Sequence, residues 1–213
     1  MFKTGGAGCF IVGPMNDMNR DNDTTLENDI DVLDGVLAKT ADLLQGVKPE
    51  QRSQPTPCPE YDVDALMDHM VGWAQVFGAG SNGKEFPEDP ANHHCGDDPG
   101  EEFRAAAKDV VEGWSTYGLD RTVKVSSGES PGEMVFNMTL MEYLTHGWDL
   151  ATATGQRVPF TEAEAAATLA RAEVTLPPEY RGDGMPFAAP VDVPADASAL
   201  DRLVGFMGRD PQG

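Results

Sequence analysis

Glu142, His146 and Asp149 fall on one face of what the sequence predicts to be the most apolar helix of the chain. Within PGEMVFNMTLMEYLTHGWDLATATG (131–155), Val135, Met138, Glu142, His146 and Asp149 recur at steps of three and four residues. At about 100° per residue this spacing builds a single stripe. A carboxylate and an imidazole in line with Val135 and Met138 are costly to bury unless they are paired or bound to a cation. A metal ion resolves the conflict, because Glu and His one helical turn apart can both point at one ion.

A second histidine stands in the same kind of place. In YDVDALMDHMVGWAQVFGAG (61–80) the apolar stripe is Leu66, Met70, Trp73, Val76 and Phe77, and His69 lies inside it. If the two helices face each other, His69, Glu142 and His146 converge as two nitrogens and one oxygen, a ligand set that leaves tetrahedral zinc with an open position. The competing reading makes each histidine a hydrogen-bonded core residue. Asp149 is the candidate catalytic residue beside the three metal ligands. It orients an imidazole from behind or faces the substrate, and in a hydrolytic variant it is the general base; the competing reading is a helix-end carboxylate bonded to the loop after Pro177.

The other candidates are less well placed. His93, His94 and Cys95 hold three potential ligands, yet adjacent residues seldom face one ion and the surrounding loop is polar, so the sequence reads as a solvated loop. Cys58, held between Pro57 and Pro59, reads as a buried structural thiol, since no cation close in sequence lowers its pKa. Trp148 reads as core packing. Neither a Ser-His-Asp order nor a glycine-framed serine elbow is present, which argues against serine hydrolysis.

The positioning elements are helical. A first helix is expected over about 25–46 (Leu26, Ile30, Leu33, Leu37, Leu44), capped by Asp23 or Thr24. A proline-rich linker follows, and Asp62 caps the helix that carries His69. A third helix opens at Pro99 with Glu101 and Glu102 at its positive end and an inner face of Phe103, Ala107, Val110, Trp114 and Tyr117. Val123 and Val125 alternate in a short strand or extended arm, and Gly128, Pro131 and Gly132 turn the chain into the Glu142 helix. A fifth helix starts at Thr161, whose spacing to Glu164 is a capping box, and Pro177 and Pro178 end it. A last short helix is expected from about Ser198 to Met207, after a loop that could fold over one end of the bundle.

At 213 residues the chain is expected to be a flexible tail (1–23) followed by one helical domain (24–211). Its 15 Lys plus Arg against 36 Asp plus Glu give a net charge of −21. Such a surface repels phosphate backbones and anionic lipid, so neither nucleic acid nor membrane is an expected partner. No stretch reads as a signal peptide or a membrane span. Cys9, Cys58 and Cys95 form no Cys-x-x-Cys pair and suggest neither a disulfide framework nor a thiolate zinc site, which fits a reducing cytoplasm. A homodimer is compatible with the sequence and not specified by it.

The runs PTPCPEYDVDALMDHMVG, MEYLTHGWDLATATGQ and VPADASALDRLVGFMGRDP together resemble the actinobacterial metal-binding proteins related to the mycothiol-dependent maleylpyruvate isomerase N-terminal domain, in the DinB-like superfamily. The resemblance extends from about Leu26 to Pro211. It implies an all-α fold, a DinB-like four-helix bundle with a short strand or hairpin and additional C-terminal helices. It also implies a divalent metal, zinc first among the choices, on a histidine of the second helix and a later Glu-x-x-x-His pair. Those positions are His69, Glu142 and His146 here.

Enzymes of the wider superfamily place a low-molecular-weight thiol on the metal for S-transfer or isomerisation. The resemblance therefore implies mycothiol as cosubstrate and a small electrophile as substrate, in a thiol-using transferase or isomerase. The chain after Gly155 is too short for the isomerase's added C-terminal domain, and Lys84 is the only cation between His69 and Arg104, so maleylpyruvate isomerase itself is not expected. The alternatives are a hydrolase that activates water on the same metal, and a non-catalytic protein whose metal staples the bundle.

Overall fold

The computed structural model describes residues 22–125, 128–182, 184–185 and 187–212. Six α-helices and one hairpin account for its regular structure beyond three short 3₁₀ turns: α1 (Asn22–Gln45), α2 (Val63–Ser81), α3 (Pro99–Tyr117), β1 (Thr122–Val125), β2 (Gly128–Pro131), α4 (Gly132–Thr154), α5 (Glu162–Thr175) and α6 (Ala199–Phe206). This is the expected all-α bundle with a short hairpin and added C-terminal helices. Helix α1 begins at Asn22, ahead of the expected start near Thr25, and the expected tail lies outside the described residues up to residue 21. Among the described residues no helix is long and apolar enough to cross a membrane.

Several boundaries follow from local chemistry. Asp62 accepts from the Ala65 N–H at the start of α2, and Asp98 from the Glu101 N–H at the start of α3, where Pro99 occupies the first turn. Thr161 and Glu164 form the capping box of α5. Gly155 ends α4 in the left-handed region at φ 66°. The segment 128–131, expected to be a turn, instead pairs antiparallel with β1, Val123 opposite Ser130 and Val125 opposite Gly128. Val123 is buried against the bundle, and this hydrophobic anchor outweighs the turn preference of Gly128 and Pro131.

Helices α1 and α2 each pack against both α3 and α4, which closes a four-helix bundle; α5 lies on α4 and α6. The core runs through Leu33, Leu37, Leu66, Met70, Phe103 and Leu140, with Tyr143 edge-on to both Phe77 and Phe103. An ion pair from Lys39 to Glu164, 2.6 Å, ties α1 to the start of α5.

Helices α2 and α3 meet closely at Gly113, where an added Cβ would stand 2.3 Å from Ser81 Oγ and 2.6 Å from the Ser81 carbonyl carbon. The second atom is backbone and cannot swing aside. Gly113→Ala is therefore expected to destabilise the protein by about 1–3 kcal/mol through overpacking, more than the helix-propensity gain of about 1 kcal/mol. Denaturant unfolding checks this, and a variant as stable as the parent would show that the α2–α3 spacing can relax.

Candidate metal centre

The two histidine-bearing helices do face each other. His69 on α2 and Glu142 and His146 on α4 bring their ligand atoms within 4.8 Å of one another, and all three are buried or nearly so. His69 Nε2 lies 2.6 Å from Glu142 Oε1, and His146 Nε2 lies 3.5 Å from the same oxygen. The ε nitrogens of both rings thus converge on one carboxylate oxygen.

The δ nitrogens face outward to fixed partners. His146 Nδ1 donates to Asp149 Oδ2 at 2.9 Å, which places the neutral ring's lone pair on Nε2, toward Glu142. His69 Nδ1 lies 3.0 Å from the Tyr61 hydroxyl. That hydroxyl can donate to Nδ1 while His69 Nε2–H donates to Glu142, or accept from Nδ1–H once Nε2 is needed as a ligand. Rings held this way by their outer nitrogens are the usual setting of metal-ligating histidines.

Asp149 is fully buried, and both of its oxygens are engaged. Arg209 donates from Nε to Oδ1 at 3.2 Å and from Nη2 to Oδ2 at 2.8 Å, while its Nη1 donates to the Met207 carbonyl. Burial opposes ionisation of Asp149, but the hydrogen bond from His146 and the charge of Arg209 outweigh it and hold the carboxyl below its ordinary pKa. For His146, burial is the largest influence and keeps the imidazole below its usual pKa, against Glu142 and Asp149. Burial also opposes the ionised form of Glu142, yet its carboxyl is held well below the usual range, His146 and His69 being among the causes.

Cys58 closes the group from behind, with its sulfur, His146 and Asp149 also within 4.8 Å of one another. Although no cation is near it in sequence, Arg209 approaches it in space; burial still dominates and raises the thiol pKa. Trp148 is buried, as core packing requires.

One side of the triad opens to a cleft. Glu142 and His146 line it together with Met138, Met141, Met207 and Phe187, and its water-accessible volume is about 20 Å³. The segment after α5 does fold over this end of the bundle and supplies Phe187 and, beyond it, Met207 and Arg209. Thr145 also lines the cleft, and its buried hydroxyl has no hydrogen-bond partner among the described residues. By contrast, the helical residues Thr40, Thr139, Thr154 and Thr168 each donate to the carbonyl one turn back.

Tyr61, Thr145 and Arg209 were not singled out by the sequence. Arg209 lies 60 residues from Asp149, so no spacing rule links them. Thr145 and Tyr61 flank the ligands in the chain, and only the fold gives each its position.

The sequence model of the mycothiol maleylpyruvate isomerase N-terminal domain matches residues 33–151, a stretch that contains His69, Glu142, His146 and Asp149 and stops short of Arg209. Two uncharacterized proteins of Mycobacterium tuberculosis, Rv0738 of strain ATCC 25618 / H37Rv and MT0763 of strain CDC 1551 / Oshkosh, are each 32% identical over 169 residues, 79% of this chain and 91% of the relative. No solved structure matches the chain significantly.

Proposed function

The chain belongs to the mycothiol maleylpyruvate isomerase N-terminal domain family, and from that premise we propose that it holds a divalent metal, zinc first, on His69, Glu142 and His146 and uses a small thiol such as mycothiol to transform a small electrophile by S-transfer or isomerisation. The observation that carries this reading is the polarity of the two imidazoles. Both Nε2 atoms point at Glu142 Oε1, while Tyr61 and Asp149 engage the two Nδ1 atoms. Core histidines retained only for packing would not need their inner nitrogens aimed at a shared carboxylate.

A divalent ion in such a site favours the thiolate of a coordinating thiol, which is the attacking form. The chain's own residues supply the rest. Asp149 keeps the His146 proton on Nδ1, and Arg209 keeps Asp149 ionised. Met138, Met141, Met207 and Phe187 offer a soft apolar wall to a small organic ligand, and the Thr145 hydroxyl is free to donate one hydrogen bond to it. A hydrolytic reading would ask Asp149 to act as base toward a water in the cleft. Its full burial and its bonds to Arg209 and His146 favour the orienting role.

Calorimetric titration with mycothiol, in buffers of different ionisation enthalpy, tests the proposal. Zinc-loaded protein is expected to bind the thiol with release of a proton near neutral pH, and chelator-treated protein far more weakly. Thr145→Val should weaken binding of the thiol or its electrophilic acceptor by about 3–10-fold, the worth of one hydrogen bond, while sparing metal content and stability. Absence of thiol binding together with thiol-independent ester or amide cleavage would transfer the assignment to the hydrolase.

A further inference from the structure

The connection between α2 and α3 carries a second convergence of ligand atoms, remote in sequence from the bundle triad. His93 follows the 3₁₀ turn Pro90–Asn92 in extended conformation, φ −70° and ψ 139°. In extended chain, neighbouring side chains point apart and alternate ones share a side. His94 accordingly lies on the surface, its side chain 84% exposed, with Nδ1 2.8 Å from Asp68 Oδ2. His93 and Cys95 turn inward instead, toward the first turn of α3, where they meet Glu102. A nitrogen, a sulfur and an oxygen from these three residues lie within 4.8 Å of one another.

The arrangement leaves one ring nitrogen unsatisfied. His93 Nε2 is buried and has no hydrogen-bond partner among the described residues, although Glu102 Oε2 is only 3.5 Å away; the pair is close without hydrogen-bond geometry. The backbone around it is fixed. Glu102 Oε1 accepts from the Gly96 N–H at 2.8 Å, and Asp68 Oδ1 accepts from the Cys95 N–H at 2.8 Å. The turn is pressed onto α2 at Gly72, where an added Cβ would stand 2.6 Å from the Pro90 carbonyl oxygen and 2.9 Å from His93 Cβ. A buried imidazole nitrogen with no partner costs stability unless something occupies the space in front of it.

We propose that His93, Cys95 and Glu102 form a second divalent-cation site, distinct from the bundle triad, which fastens the α2–α3 connection onto the first turn of α3. Mixed nitrogen, sulfur and oxygen donors select a borderline cation such as Zn²⁺ or Co²⁺ over Mg²⁺ or Ca²⁺, with water completing the shell. Burial and the facing carboxylates of Asp68 and Glu102 keep the Cys95 thiol protonated in the absence of a cation, so uptake releases that proton to solvent.

Cobalt(II) titration of the chelator-treated full chain separates the two sites, because only a thiolate ligand gives a near-ultraviolet charge-transfer band and the bundle triad has none. The band is expected to appear, to be lost in Cys95→Ser, to require higher cobalt in Glu102→Gln, and to persist in Cys58→Ser, Cys9→Ser and His146→Ala. The zinc-induced rise in Tm that remains in His146→Ala should disappear in the double variant His146→Ala, Cys95→Ser. Absence of the band, or a band lost in Cys58→Ser and kept in Cys95→Ser, would overturn the proposal. The latter result would place the thiolate behind His146, leaving the bundle metal itself intact.

Discussion

Alanine in place of His146 is expected to remove the bundle's equivalent of metal from the purified protein and to destabilise the metal-free form by about 1–3 kcal/mol, the cost of a buried polar group that loses its partner. Two partners are lost at once. Glu142 loses His146 and keeps His69 across the helix interface, and Asp149 loses the Nδ1–H donated to Oδ2. Asp149→Asn and Tyr61→Phe should behave differently, because neither residue supplies a ligand in this arrangement. Each is expected to weaken metal affinity by about 10–100-fold, as changes behind a ligating histidine do, with near-full content when metal is in excess. His94→Ala should leave content unchanged, since that ring faces solvent and Asp68. Elemental analysis after dialysis against a weak chelator, with competition titrations for the affinities, checks all four variants. Full metal content in His146→Ala would remove the basis for the triad.

The parts of this site that the sequence revealed are those governed by helical periodicity. Glu142, His146 and Asp149 share a stripe because steps of three and four residues return to one face, and His69 stood out because it interrupts an apolar run. Some helix starts were equally legible: Asp62, Pro99 and the Thr161–Glu164 box act within one turn of themselves, whereas Asp23 and Thr24, expected to cap the first helix, lie inside α1. Features that depend on the meeting of distant segments were not. Nothing between positions 149 and 209 indicates that Arg209 will return to Asp149. Strand β2 was hidden because Gly128 and Pro131 carry turn chemistry, and its pairing is set by Val123 on the partner strand. The His93 and Cys95 pair read as a polar loop for the same reason, since Glu102 completes the cluster only once α3 is in place. Thr145 is a subtler case: among the described residues four other buried helical threonines bond to their own helix, and no sequence rule marks the buried one that does not.

Arg209→Met is expected to be the most destabilising single change in the C-terminal segment, costing about 3–5 kcal/mol at neutral pH. The residue is 7% exposed and makes two hydrogen bonds to a carboxylate that is fully buried, so its removal strands a negative charge where water cannot reach it. The loss should depend on pH with a definite sign. In the parent protein the folded-state pKa of Asp149 lies below its ordinary value of 3.8, so its contribution to stability is present above that pH and disappears as pH falls through the folded value. Without Arg209, burial is opposed by His146 alone, so the folded-state pKa of Asp149 rises and it takes up a proton at a higher pH than in the parent protein. The stability gap between variant and parent should therefore be widest at neutral pH and narrow on acidification toward the ordinary carboxylate range. Adding Asp149→Asn should recover part of the lost stability at neutral pH, since it removes the stranded charge, but it should not recover metal affinity, since His146 would remain without its carboxylate. Urea unfolding of the parent, the single variant and the double variant at pH 7 and pH 5 tests the whole chain of argument. A gap under about 1 kcal/mol at pH 7, or one that widens toward pH 5, would mean that Asp149 is not held ionised by Arg209, and that the orientation of His146 has another source.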